Sequence, residues 1–217
     1  MASEFGAMAL SRSERERANG HRSAVFWLTG LSGAGKTTVA SGAEQLLYTM
    51  GYQVCVLDGD HLRKGLNADL GFDDADRHES MRRAGHMAEA FANTGMIVLV
   101  ALISPFDRGR QYARQAVSAD FYEVYVATTL DLCEARDPKG LYRKARAGEI
   151  HGFTGISSPY EVPVAPDTSI DTRGRTPSQS IDEFVQYVRS KVELGRLPRY
   201  ISANNARGVG RRDAIEQ

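Results

Sequence analysis

The residues best placed to do chemistry are Gly30-Leu31-Ser32-Gly33-Ala34-Gly35-Lys36-Thr37, with Thr38 beside them. Their spacing, G-x-x-x-x-G-K-[ST], is that of a loop that cradles nucleoside triphosphates. Small residues let the backbone wrap a phosphate chain closely, so that successive N–H groups point at its oxygens. Lys36 reaches the outer phosphates as a compact charge, and the Thr37 hydroxyl suits Mg²⁺. The bland alternative is a glycine-rich turn with a solvated lysine, and the flanks argue against it. The apolar run Ala24–Thr29 comes before the loop. After it, Val39, Ala43, Leu46, Leu47 and Met50 fall on one helical face, so a helix N-terminus would aim its dipole at the phosphates.

A phosphate loop specifies a nucleotide rather than a reaction. The Asn-Lys-x-Asp string that switch GTPases use to read guanine is absent. The longest apolar run ends in Ser104, where motor and transporter ATPases place a metal-positioning aspartate. The carboxylates Asp58 and Asp60 stand instead after the second apolar run. Beside a phosphate loop they suit a hydroxyl acceptor, one polarising the nucleophile and one helping the metal shell. They equally suit capping the helix that follows.

Basic residues cluster twice, as Arg63, Arg77, Arg82 and Arg83, then as Arg136, Lys139, Arg143, Lys144 and Arg146. Arginine forks match phosphate and sulfate geometry, although each one singly also fits a solvated helix face. Phe72 and Phe153 each sit between a glycine and a polar residue. Two such rings can sandwich an acceptor base or pack in the ordinary way.

The elements that must position these groups alternate between strand and helix. Residues 11–22 read as a short charged helix or arm, and residues 1–6 as a leader left by an expression vector. Strands are expected near 24–29, 53–57, 96–103, 121–127 and 169–172. Helices are expected from the loop to Met50, from Asp76 with Glu79 as capping-box partner, over 106–117, over 130–135 and from Thr176-Pro177. Ala84, Met87, Ala88 and Phe91 would form the buried stripe of the second of these. Ile181, Phe184, Val185, Val188 and Val192 share a face of the last. Residues 136–159 carry no hydrophobic period and read as a lid or long functional loop. This order predicts an α/β fold of three α/β/α layers with a central parallel sheet. Ligands of such a sheet gather at the carboxyl ends of its strands, which puts the loop, Asp58, Asp60 and Ser104 on one rim. The domain would run over 23–195, with a polar tail at 196–217.

The chain of 217 residues is long enough to bury a core without metal or disulfide staples. Its 27 basic and 27 acidic residues balance, so no global field favours nucleic acid or an anionic membrane. No run approaches a membrane span, and the charged residues 11–17 exclude a signal-peptide core. Cys55 and Cys133 lack metal-ligand spacing and read as inert thiols in a reducing cytoplasm.

Several strings carry a family resemblance: N-G-H-R (19–22), G-L-S-G-A-G-K-T-T (30–38), L-D-G-D-H-L-R (57–63) and L-N-A-D-L-G-F (66–72). They continue with D-R-H-E-S-M-R-R (76–83), L-I-S-P (102–105) and R-D-P-K-G-L-Y-R-K-A-R-A-G-E-I-H-G-F-T-G-I (136–156). In this order they resemble the adenylyl-sulfate kinases, P-loop enzymes that phosphorylate the 3′-hydroxyl of adenosine 5′-phosphosulfate. The other kinases weighed, those of small metabolites, share only the loop and general layout. A non-catalytic, nucleotide-sensing partner of a sulfurylase is the second alternative.

The resemblance implies that residues 30–38 hold ATP and Mg²⁺, with Arg136 in a mobile lid over the ATP side. It implies that Asp60 polarises the acceptor hydroxyl and that Arg63 faces the acceptor. Phe72 and Phe153 would sandwich the acceptor adenine, while Arg77, Ser80, Ile103, Lys139 and Gly152 complete its site. It further implies a homodimer, and leaves association with ATP sulfurylase open. His61 and Ser80 stand where the family usually has asparagine, and the shorter serine would reach the acceptor through water. For Ser104 the resemblance implies a phosphoenzyme. No histidine base stands beside it in the sequence and in-line transfer needs no covalent step, so acceptor binding is the preferred role. A strand-ending Ser-Pro turn is the structural alternative.

Overall fold

The computed structural model describes residues 10–194, so residues 1–6, read above as a leader, and the tail (196–217) lie outside the described residues. Five parallel strands form the sheet in the order β2-β3-β1-β4-β5. They are β1 (Ala24–Thr29), β2 (Val54–Asp58), β3 (Ile97–Ala101), β4 (Asp120–Ala127) and β5 (Thr168–Asp171). β1 is the middle strand, with Phe26 in register with Leu99 on one side and Tyr122 on the other.

All six residues of β1 are buried, because the pleat sends successive side chains into two separate cores. Phe26 and Leu28 enter the core shared with α2 (Lys36–Thr49) and α8 (Pro177–Val192). Val25 and Trp27 enter the one shared with α4 (Asp74–Asn93) and α5 (Asp107–Ala116). Each fully buried large apolar side chain contributes roughly 1.5–3 kcal/mol. The strand is therefore apolar throughout, as a strand covered on both faces must be. On the first face α2 and α8 approach so closely that a Cβ on Gly42 would lie 2.3 Å from the Ile181 side chain.

At the N-terminal end, α1 (Arg12–Asn19) begins with a Ser11–Glu14 capping box and ends on left-handed Gly20. Asn19 donates to the Gly95 carbonyl, which ties this arm to the turn before β3. His21 then joins two segments, its Nδ1 donating to the Arg22 carbonyl at 2.9 Å and its Nε2 accepting Gln53 N–H at 3.0 Å.

Four expectations change. α4 starts at Asp74 behind an Asp73 cap, two residues earlier than Asp76. Asp76 instead accepts Gly71 N–H, and Glu79 pairs with Arg82 and Arg83. Of the expected stripe of α4, Ala84 and Ala88 are buried and Met87 packs at the core's edge, but Phe91 is exposed and Met81 and Ala92 complete the buried face. Met50 caps α2 and is likewise exposed. Finally, residues 136–159 contain α7 (Leu141–Arg146), and Tyr142, Ala145 and Phe153 are buried in the core. A six-residue helix is too short to show a hydrophobic period.

Candidate active site

A cavity of about 1270 Å³ opens along the carboxyl edge of the sheet. Its floor is the loop between β1 and α2. Gly30 makes the first turn with φ +153, where a Cβ would meet the Val126 carbonyl at 2.8 Å, so only glycine fits. The Ala34 carbonyl accepts from Thr128 and Thr172, and the Ser32 carbonyl from the Tyr142 hydroxyl at 2.9 Å. Lys36 Nζ folds back onto the Gly30 and Leu31 carbonyls at 2.8 and 2.7 Å. Burial pulls this ammonium down to about 8. A charge left so poorly solvated gains strongly from an arriving phosphate.

Asp58 unites the two sequence alternatives. Its Oδ1 caps α3 (Gly59–Leu62) by accepting Asp60 N–H at 2.9 Å, and its Oδ2 accepts the Thr37 hydroxyl at 2.8 Å. Thr37 and Asp58 therefore present hard oxygens side by side at the loop. Among the described residues no three His, Cys, Asp or Glu side chains cluster to hold a metal by themselves. That donor set fits a divalent cation delivered with nucleotide phosphates, which keeps its waters and needs few protein ligands.

The opposite wall comes from α4, the turn after β3 and the segment around α7. Arg77 Nε donates to the Phe72 carbonyl and its Nη2 to the Gly152 carbonyl, both at 2.8 Å. One buried guanidinium thus fixes the two backbone segments that carry Phe72 and Phe153. The Arg63 guanidinium stacks 3.9 Å from the Phe72 ring centre, and Phe153 packs edge-on against Tyr142 at 5.0 Å. Burial lowers the Arg63 and Arg77 pKa values from the usual arginine value. Lys139 forms an ion pair with Asp60. The Ser80 hydroxyl accepts from the fully buried Asn67 amide at 2.9 Å. Ser104 Oγ accepts the Trp27 indole N–H at 2.8 Å, and the Ile103 carbonyl accepts the Thr29 hydroxyl.

Every residue singled out for the site lines this cavity except Gly30 and Leu31. Those two contribute their carbonyls to Lys36, and the Leu31 side chain lines a neighbouring groove. Arg136 reaches the far end, donating to the Thr172 carbonyl at 2.9 Å. Of the other basic residues, Arg82 and Arg83 pair with Glu79, and Arg146 with Glu134, all away from the cavity. Thr172, Arg175, Pro177 and Ser180 line the cavity and were not foreseen. Thr172 follows the end of β5, so the strand-end rule alone would have found it. His61 is exposed, 4.0 Å from Asp58.

A family model described as adenylylsulphate kinase matches residues 22–171. The chain belongs to the adenylylsulphate kinase family. It is 50% identical over 186 residues to the adenylyl-sulfate kinase of Bacillus pumilus, covering 85% of this chain and 94% of that one. The adenylyl-sulfate kinase of Clostridium acetobutylicum is 48% identical over 180 residues, covering 83% and 90%. Among solved structures, the Mycobacterium tuberculosis APS kinase CysC in complex with AMPPNP and APS superposes with a TM-score of 0.75 at 48% identity. The match covers 77% of this chain and 98% of that one. The fold is that of the P-loop kinases, and a member of this family is an ATP-dependent phosphotransferase. Kinases of this kind need a divalent metal. No helix among the described residues is long and apolar enough to cross a membrane.

Proposed function

We propose that this chain transfers the γ-phosphoryl group of ATP to the 3′-hydroxyl of adenosine 5′-phosphosulfate, in sulfate activation. One observation carries the reading. A single cavity joins the phosphate loop to Asp60 and to a basic, aromatic wall of Arg63, Phe72, Arg77 and Phe153. A two-nucleotide reaction needs such a continuous cavity, since donor and acceptor must meet in line.

In this reading residues 30–38 hold the ATP phosphates, with Lys36 on the outer ones and Arg136 over the ATP side. Thr37 would ligate Mg²⁺, and Asp58, which accepts the Thr37 hydroxyl, would orient that ligand. The ion, when bound, offsets charge on the outer phosphates. Phe72 and Phe153 sandwich the acceptor adenine, and Arg63, Arg77, Ser80, Ile103, Ser104, Lys139 and Gly152 complete that half. Asp60 polarises the 3′ O–H. The hydroxyl oxygen then bonds to the γ-phosphorus, its proton passing to the Asp60 carboxylate, as the bond from that phosphorus to the β–γ bridging oxygen breaks and ADP leaves. Closure of residues 136–159 as a lid keeps water from taking the phosphoryl group. A domain over 23–195, a homodimer, a cytoplasmic setting and association with ATP sulfurylase complete the proposal.

A coupled assay with ATP, Mg²⁺ and adenylyl sulfate tests it, with AMP and small sugars as competing acceptors. A 3′-phosphorylated product from adenylyl sulfate alone is expected. Turnover of another acceptor, or ATP binding without turnover, would reject it.

A further inference from the structure

The turn that follows β3 is held by a buried charged pair that faces no substrate. Arg110 on α5 and Glu123 on β4 are 1% and 4% exposed. They meet at 2.5 Å between Nε and Oε1. Arg110 Nη1 donates to the Ser104 carbonyl at 2.9 Å. Ser104 has φ +46, a left-handed conformation disfavoured by any residue with a Cβ. On its other side the Trp27 indole N–H reaches Oγ at 2.8 Å. Donors from β1 and α5 therefore converge on one residue of the cavity wall.

Stability does not account for the pair. Taking two charges out of water offsets most of their attraction, and an apolar pair of similar volume commonly serves as well. An apolar pair has no N–H for the Ser104 carbonyl, however, and would leave it only the longer approach of the Thr29 hydroxyl at 3.3 Å, a group that also donates to the Ile103 carbonyl at 2.8 Å. Nor is the Ser104 hydroxyl spent. Its oxygen accepts from Trp27, and among the described residues its own proton meets no acceptor.

We propose that Arg110, paired with Glu123 and assisted by Trp27, is a positioning residue of the acceptor site that holds Ser104 in its left-handed conformation, hydroxyl free to donate to an anionic acceptor. This rests on the functional reading above.

Kinetics on the full chain test it. Arg110→Met with Glu123→Met removes both charges together, Arg110→Lys keeps a single donor, and Trp27→Phe removes the indole N–H. The double variant is expected to fold and to raise the acceptor KM about tenfold, the usual value of a charge-assisted hydrogen bond, with the ATP KM unchanged. Arg110→Lys should fall between it and wild type, and Trp27→Phe should raise the acceptor KM severalfold. A folded double variant with a wild-type acceptor KM overturns the proposal. If the double variant does not fold, unchanged acceptor KM values in both single variants overturn it. Absence of wild-type turnover with adenylyl sulfate refutes the functional reading instead. The positioning is then read from a crystal structure of Arg110→Lys, where an unaltered left-handed Ser104 without a bond from Lys overturns it.

Discussion

Lys139, in the segment between α6 (Leu130–Arg136) and α7, pairs with the carboxylate of Asp60 at the start of α3. The contact brings a cation from residues 136–159 onto the group assigned to polarise the acceptor hydroxyl. Both side chains are more than half exposed, so the pair adds little to folding stability. In the proposed reaction it would place charge beside the acceptor.

Lys139→Ala should therefore leave the melting temperature within about 2 °C of wild type. It should lower kcat/KM for the acceptor about tenfold or more, with the KM for ATP little changed. Asp60→Asn should cost about 10²–10⁴ in kcat, the usual contribution of a general base. Steady-state kinetics beside thermal unfolding decide it, and a large loss of stability in Lys139→Ala would contradict this account.

The two phenylalanines should separate under mutation. Phe72 is 58% exposed beneath the Arg63 guanidinium, whereas Phe153 is 8% exposed and packs on Tyr142. Phe72→Ala should weaken the acceptor far more than ATP while denaturant unfolding stays near wild type. Phe153→Ala should weaken the acceptor and also cost about 3 kcal/mol of stability, the lower end for truncating a buried ring. Equal loss of ATP and acceptor affinity in Phe72→Ala would count against the sandwich.

Ser104 should not carry phosphate. Its oxygen is held by the Trp27 N–H, and among the described residues no carboxylate or imidazole is bonded to it to take its proton. Incubation with γ-labelled ATP alone should give no stoichiometric label. Label on wild type that disappears in Ser104→Ala would show a phosphoenzyme.

His21 should make folding sensitive to acid. It is 1% exposed, and burial lowers its pKa, opposed more weakly by the Arg22 carbonyl and by Glu16. Nε2 accepts Gln53 N–H, so protonation would set two donors face to face. The unfolded chain binds the proton at about pH 6.5 and the folded chain only below that. This contribution to stability is complete above 6.5 and is lost as pH falls beneath it. The melting temperature of wild type should drop more between pH 7.5 and 5.5 than that of His21→Asn. Equal drops in the two proteins would remove His21 as the cause.

Much of this was legible before any fold was known. The phosphate loop is a local object, because Gly30, Gly33 and Gly35 set its turns and the strand and helix around it follow from adjacent residues. Thr176-Pro177 gives the start of α8 for the same reason, its cap and first-turn proline being neighbours in the chain. The start of α4 was misplaced because three aspartates, Asp73, Asp74 and Asp76, compete for the cap, and only Asp73 has the extended backbone. α7 was missed because six residues hold less than two helical turns.

By itself, the sequence determined the loop, the parallel α/β order, the family and the types of residue at both ends of the cavity. Each of these rests on short strings or on periods that neighbouring residues impose on one another. Tertiary structure alone decided that Arg77 would bridge Phe72 and Gly152, that Lys139 would meet Asp60, and that Arg110 would hold Ser104 against Glu123. These partners come from different elements of the sheet and its layers. Their distances depend on strand order and register, which side-chain periodicity along one segment does not encode.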